Sequence, residues 1–173
     1  MSRIANRIIE IPPQVEINLN QKEISVKGSL GVKGLLFPSE LKITRAGNQL
    51  FTKSENTALA GTYNSLITNL IEGVTKGHHQ ILEVERSGCE VTLESEKRLK
   101  FVLAKIKPDY IQIPPEIKVK VENNRKITLE GVDKQLVGEL AAKIKSLNPP
   151  SKYYIIIKLA GEKIKLKKRK VAK

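Results

Sequence analysis

The side chains in this sequence best suited to chemistry are cations, and the chemistry they suit is neutralising phosphate. Lys163, Lys165 and Lys167 alternate with Ile164 and Leu166, so an extended chain would present the three lysines on one face. Lys168, Arg169 and Lys170 follow directly, and Lys152, Tyr153 and Lys158 lie just upstream. Residues 151–173 hold nine Lys/Arg against one acid, a net +8 out of the +13 carried by all 173 residues. A charge so large and so uneven points to a polyanionic partner; a solubilising tail is the plainer alternative. Lys134 and Lys143, on a helix described below, are further candidates, followed by Arg3 and Arg7.

Other chemistry is thinly represented. His78, His79 and Cys89 are the only transition-metal candidates. Adjacent residues of a strand point to opposite faces and there is no second thiol, so no metal site is expected. No glycine-rich loop has phosphate-cradling spacing, and no Ser–His–Asp or Cys–His order suggests a nucleophile. Glu83/Glu85 and Glu94/Glu96 alternate as the solvent face of a sheet would. No enzymatic activity, cofactor or small-molecule substrate is expected.

The length suits one domain or two small ones, with enough chain to bury a core. Aromatic residues make up 4% and Trp is absent, which argues against a stacking platform for single-stranded nucleic acid. The single cysteine excludes an internal disulfide and fits a reducing compartment. No run of 18 apolar residues offers a membrane span. The opening MSRIANRIIEIPP lacks the apolar core of a secretory signal and is too short for a transit peptide. Action in the compartment of synthesis is therefore expected.

Positioning these cations requires folded elements, and the pattern supplies them. Residues 131–150, GVDKQLVGELAAKIKSLNPP, read as a strand-end glycine, an acidic cap at Asp133, an amphipathic helix and a double-proline stop. Leu136, Val137, Leu140, Ala141, Ile144 and Leu147 form its apolar stripe, and Lys143 and Lys145 suit its carbonyl end. Gly138 interrupts the stripe at a cost of about 1 kcal/mol relative to alanine, which suggests close approach to a sheet. A second helix is expected from Asn56 to about Thr75, along Leu59, Tyr63, Leu66, Ile67, Leu70, Ile71 and Val74, capped by Ser54 or Asn56.

Strand patterns fill the rest. Val15, Ile17 and Leu19 pair with Ile24 and Val26 as a hairpin; Gly28–Gly34 reads as a turn; Leu41/Ile43 and Leu50/Phe51 flank a Gly47–Asn48 turn. QILEVERSG, CEVTLES and LKFVLAKI are strands, and Tyr153–Ile157 offers one more. Ile-Pro-Pro opens both residues 11–28 and residues 113–131, and each is followed by an alternating hairpin and a glycine. The match suggests internal duplication with a boundary near residue 82. The expected class is α+β: two similar domains, each a small, mostly antiparallel sheet packed with one amphipathic helix. Residues 1–82 would form the first, 83–167 the second, which carries most of the candidate phosphate-binding cations, and 168–173 a basic tail.

With these segments in view, the chain resembles the bacterial-type large-subunit ribosomal protein L-six family. ITLEGVDKQLVGELAAKIKSLNPPSKY (Ile127–Tyr153) looks like that family's second-domain signature, and AGTYNSLITNLIEGVTKG (Ala60–Gly77) like its first-domain helix. The resemblance implies two α+β domains, no enzymatic activity and binding to large-subunit ribosomal RNA near the sarcin–ricin loop. It also implies neighbouring ribosomal proteins and nearby translation factors as partners; the lysine- and isoleucine-rich composition without a transit peptide suits a small bacterium or an organelle encoding its own ribosomal proteins. Three departures stand out: Asn64 occupies a position where the family usually carries arginine, residues 81–95 are more acidic, and Tyr154–Lys158 replaces a Lys-Gly-Lys-Gly-Ile-Arg run.

The rivals are a nucleic-acid-binding protein outside the ribosome, a membrane-surface protein and an enzyme with an unrecognised site. Ile164 and Leu166 give too small an apolar face for a membrane, and Glu139 interrupts the cationic face a DNA-reading helix would need.

Overall fold

The computed structural model describes residues 3–85, 88–103 and 107–167, which divide into two units. One comprises Met1–His78 with Val132–Lys134, the other His79–Gly131 with Gln135–Lys173.

In the first unit, β1 (Ile9–Glu10), β2 (Glu16–Leu19), β3 (Glu23–Gly28), β4 (Gly31–Leu36), β5 (Lys42–Ala46) and β6 (Gln49–Lys53) precede α1 (Thr57–Thr75). They form two three-stranded antiparallel sheets, β2-β3-β4 and β1-β6-β5. Alternation decides what faces inward: Ile24 and Val26 of β3 are fully buried while Glu23 and Lys27 are exposed. The Asn56 side chain accepts the Ala58 N–H at 3.0 Å and caps α1. Ala60, Asn64, Ile67, Ile71 and Val74 form its most buried line; Leu59, Tyr63, Leu66 and Leu70 flank it, half-buried. Asn64, which stands where the L-six family usually carries arginine, faces this core. Its amide donates to the Arg7 carbonyl at 2.6 Å and the Thr52 hydroxyl at 3.3 Å.

In the second unit, β7 (His78–Val84), β8 (Cys89–Ser95), β9 (Arg98–Leu103), β10 (Asp109–Gln112), β11 (Ile117–Glu122) and β12 (Lys126–Gly131) precede α2 (Lys134–Ser146) and β13 (Ile157–Leu159). The sheets are β10-β9-β8 and the four-stranded β11-β12-β7-β13. Val137, Leu140, Ala141 and Ile144 of α2 share a core with Leu82, Phe101, Ile127, Leu129 and Ile157.

Four local readings need correction. Only Ser29 and Leu30 turn between Gly28 and Gly31; Gly31 begins β4, whose register runs from Gly28↔Gly31 to Glu23↔Leu36. Glycine composition suggested a loop, yet Gly28 serves packing, since a Cβ there would meet the Val74 carbonyl at 2.6 Å. Gly138 was assigned a close approach, but a Cβ added to it finds nothing within 4 Å. That role falls to Gly131, where a Cβ would meet Val137 Cγ2 at 2.8 Å. The added strand begins at Ile157 rather than Tyr153, because Ile155 and Ile156 are buried as core before pairing starts.

The fourth concerns the duplication. Two similar sheet–helix units are present, but the Ile-Pro-Pro hairpins are not each other's counterparts. Residues 16–28 form β2-β3, within a three-strand meander, whereas 117–131 form β11-β12, the pair leading directly into the helix. Chain order matches β2-β3-β4 with β8-β9-β10, and β5-β6-α1 with β11-β12-α2. Hydrogen bonds agree: Phe37 N–H donates to the Lys22 carbonyl at 3.0 Å, and Ile113 N–H to that of Lys97 at 2.8 Å. The proline turn itself recurs three times. Val15, Leu41 and Ile117 donate to the carbonyls of Pro12, Pro38 and Pro114 at 3.0, 3.1 and 3.1 Å.

Candidate nucleic-acid interface

The cations singled out from sequence differ sharply in how they are held. Lys158, on β13, is half-buried opposite Glu83 of β7; its ammonium lies 3.5 Å from Glu83 and also contacts Glu85. The Glu85 hydrogen bond and the charge of both acids hold its pKa above the usual lysine value. Glu83 and Glu85 thus do more than decorate a solvent face: they neutralise a cation. Lys143 is paired with Glu139 at 2.8 Å, one helical turn away. Lys134 opens α2 and donates to Asn69 Oδ1 at 3.0 Å. Asp133, placed as its cap from sequence, stands directly before α2 with its carboxylate 3.3 Å from Lys33 Nζ.

Lys152, Lys163, Lys165 and Lys167 are exposed, and no acidic side chain among the described residues lies within ion-pair distance of them. Lys152 and Tyr153 sit in a turn closed by Ser151 N–H donating to the Tyr154 carbonyl at 3.0 Å. Tyr153 is 45% exposed. The extended segment 162–167 returns to this turn, where Lys167 N–H donates to the Lys152 carbonyl at 2.8 Å. Ile164 is half-buried beneath it, so Lys163 and Lys165 point outward. The fold therefore gathers Lys152, Tyr153, Lys163, Lys165 and Lys167 on the second unit. Lys168, Arg169 and Lys170 lie outside the described residues, as does the rest of the expected basic tail.

The segment owes its course to two residues that are not cations, Gly161 and Glu162. Gly161, with φ of +81°, allows the reversal after β13, and Glu162 N–H donates to the Leu159 carbonyl at 3.0 Å. The Glu162 carboxylate then receives Lys145 Nζ of α2 at 2.6 and 2.8 Å and the Leu159 N–H at 3.2 Å. The Lys145 hydrogen bond, then the Leu159 N–H, holds this carboxyl below its usual pKa. A lowered carboxyl pKa contributes stability that is present above the unfolded-state value and disappears as pH falls through the folded one. The available signal was that Glu162 is the lone acid among the last 23 residues.

Nothing else among the described residues competes as a centre of chemistry. No group of three or more His, Cys, Asp or Glu side chains there could hold a metal ion, and Cys89 is fully buried. His78 is committed to the Asn69 carbonyl at 2.8 Å. No described helix is long and apolar enough to cross a membrane.

Comparison with known proteins follows the same line. Residues 86–157 match the family described as ribosomal protein L6. The chain is 36% identical over 158 residues to the large ribosomal subunit protein uL6 of Mycoplasmopsis pulmonis, covering 88% of each chain. It is 34% identical over 179 aligned positions to uL6c of Cyanophora paradoxa, covering 100% of this chain and 99% of that one. With uL6 of Halalkalibacterium halodurans it shares 34% over 181 positions, all of both chains. Similarity of this extent, end to end across both units, means that the chain belongs to the ribosomal protein L6 family.

Proposed function

We propose that this protein is a structural component of the large ribosomal subunit, binding large-subunit ribosomal RNA near the sarcin–ricin loop and the factor-binding region. The single observation that carries the RNA contact is the group of exposed lysines at positions 152, 163, 165 and 167, beside Tyr153, with no acid among the described residues in ion-pair distance. Cations already paired with acids gain little by meeting phosphate, whereas unpaired ones release counterions from the RNA. Scarce aromatic residues favour recognition of folded RNA through its backbone and shape rather than through stacked bases. Family membership supports a structural rather than an enzymatic role, beside neighbouring ribosomal proteins and within reach of translation factors. Two of the named relatives are designated uL6 and that of Cyanophora paradoxa uL6c, which supports a bacterial or organellar ribosome.

Gradient sedimentation of a lysate tests the assignment: the chain should co-migrate with large subunits, and its absence from them would overturn it. Titration against large-subunit RNA then tests the surface. For roughly eight phosphates, log affinity should fall against log salt with a slope of about −6 to −7. Lys163→Gln and Lys165→Gln should each remove about 0.7–0.9 from that slope, and Lys158→Gln should leave it unchanged.

A further inference from the structure

We infer that Glu162 is a positioning residue for RNA binding, fastening the lysine-bearing segment to α2 so that Lys163 and Lys165 meet phosphate already held in place. This rests on the RNA contact proposed above and goes beyond it by giving an acid a constructive part in a cationic surface. On charge alone, Glu162 should repel phosphate, and removing it should tighten binding.

The geometry opposes that expectation. Both Glu162 oxygens engage Lys145, at 2.6 and 2.8 Å, with the two side chains only 29% and 27% exposed. Half-buried charge pairs are screened less than exposed ones, so this tie persists in salt. The same carboxylate accepts the Leu159 N–H at the end of β13, joining helix, strand and segment through one group. At its far end the segment is held by Lys167 N–H on the Lys152 carbonyl at 2.8 Å. Between the two attachments Ile164 faces in, half-buried, while Lys163 and Lys165 face out. A segment ordered on folding loses its backbone freedom then, rather than at the moment of binding, and preorganisation of this kind appears as affinity. The negative charge costs little outside the pair, because Lys145 answers it directly.

The test is a salt-series titration of the full chain with transcribed large-subunit ribosomal RNA. Glu162→Ala should weaken binding about 5- to 20-fold despite the gain in net positive charge, and should shallow the salt slope by about 1–2. The exchanged pair Lys145→Glu/Glu162→Lys, which keeps net charge and the ion pair, should recover part of the loss. A merely electrostatic role predicts the reverse for Glu162→Ala, tighter binding with an unchanged or steeper slope, and that result overturns the inference. The double variant Lys163→Gln/Lys165→Gln separates the two proposals. If it weakens binding while Glu162→Ala does not, positioning by Glu162 fails alone; if it has no effect, the lysine contact itself is wrong. Circular dichroism should match the parent chain throughout, and Glu162→Ala should melt somewhat lower because the pair contributes stability; a Glu162→Ala binding loss that tracks global unfolding, without rescue by the exchanged pair, also overturns the inference.

Discussion

The two units put different chemistry at matching positions. Thr52 and Leu129 each occupy the fourth residue of the strand before the helix, and both are buried. Their cross-strand partners are Ile43 and Val119. Asn64 and Ala141 each lie seven residues beyond the first residue of α1 or α2, again buried. Where the second unit has a dry Leu–Ala pair, the first has Asn64 Nδ2 on Thr52 Oγ1, with the Thr52 hydroxyl also reaching the Ala60 carbonyl at 3.4 Å. Asn64 Nδ2 additionally holds the Arg7 carbonyl, while Asn64 Oδ1 finds no partner among the described residues. Outside the cores the contrast reverses. The first unit carries ten Lys/Arg against seven acids, the second twenty-one against eleven. Its sheet also gains β13, a fourth strand with no counterpart among the first unit's described residues, which leads into the lysine segment. A repeated backbone plan thus fixes which positions face inward, but leaves each copy free to choose what chemistry stands there.

The comparison can be broken at several points. Leu129→Ala opens a cavity in the dry core and should cost about 2–5 kcal/mol by urea unfolding. A cost under 1 kcal/mol would mean that this core is not closely packed. Asn64→Ala strips a donor from the Arg7 carbonyl and from Thr52, and should cost about 1–3 kcal/mol. Repeated in a Thr52→Val background, the same change should cost measurably less, since the two residues share a hydrogen bond; strict additivity would show that the polar pair is not coupled. The smallest effect separates the helices. Gly138→Ala should raise the thermal midpoint, worth about 0.5–1 kcal/mol, because α2 carries a glycine that no neighbour within 4 Å requires. Destabilisation would place an atom against Gly138 in solution.

Much of this was legible from residue types in order. Both helices follow from apolar spacing and their ends from Asn56 and Pro149; the β5-β6 hairpin follows from the Gly47–Asn48 turn, where Gly47 adopts φ of +58°. β1 escaped notice because two residues are too few for a period to show, and β10 because its four residues carry one aliphatic side chain, Ile111. The hairpin match misled for a related reason. Alternation at period two is common to every half-buried strand, so Ile-Pro-Pro plus alternation identified a kind of hairpin rather than one particular copy.

The sequence by itself determined both helices, the inward and outward faces of most strands, the α+β class and the weight of positive charge at the C-terminal end. Helices and faces depend on neighbours two to four residues apart and charge on composition, all within reach of a chain read in order. The tertiary structure alone decided which lysines meet an acid, which glycine admits a close neighbour, and that a lone glutamate fastens the cationic segment. Lys158 meets Glu83 and Glu85, and Lys145 meets Glu162, across separations that no periodicity encodes. Charge is a property of residues, but its availability to a partner depends on what the fold brings within about 4 Å of it.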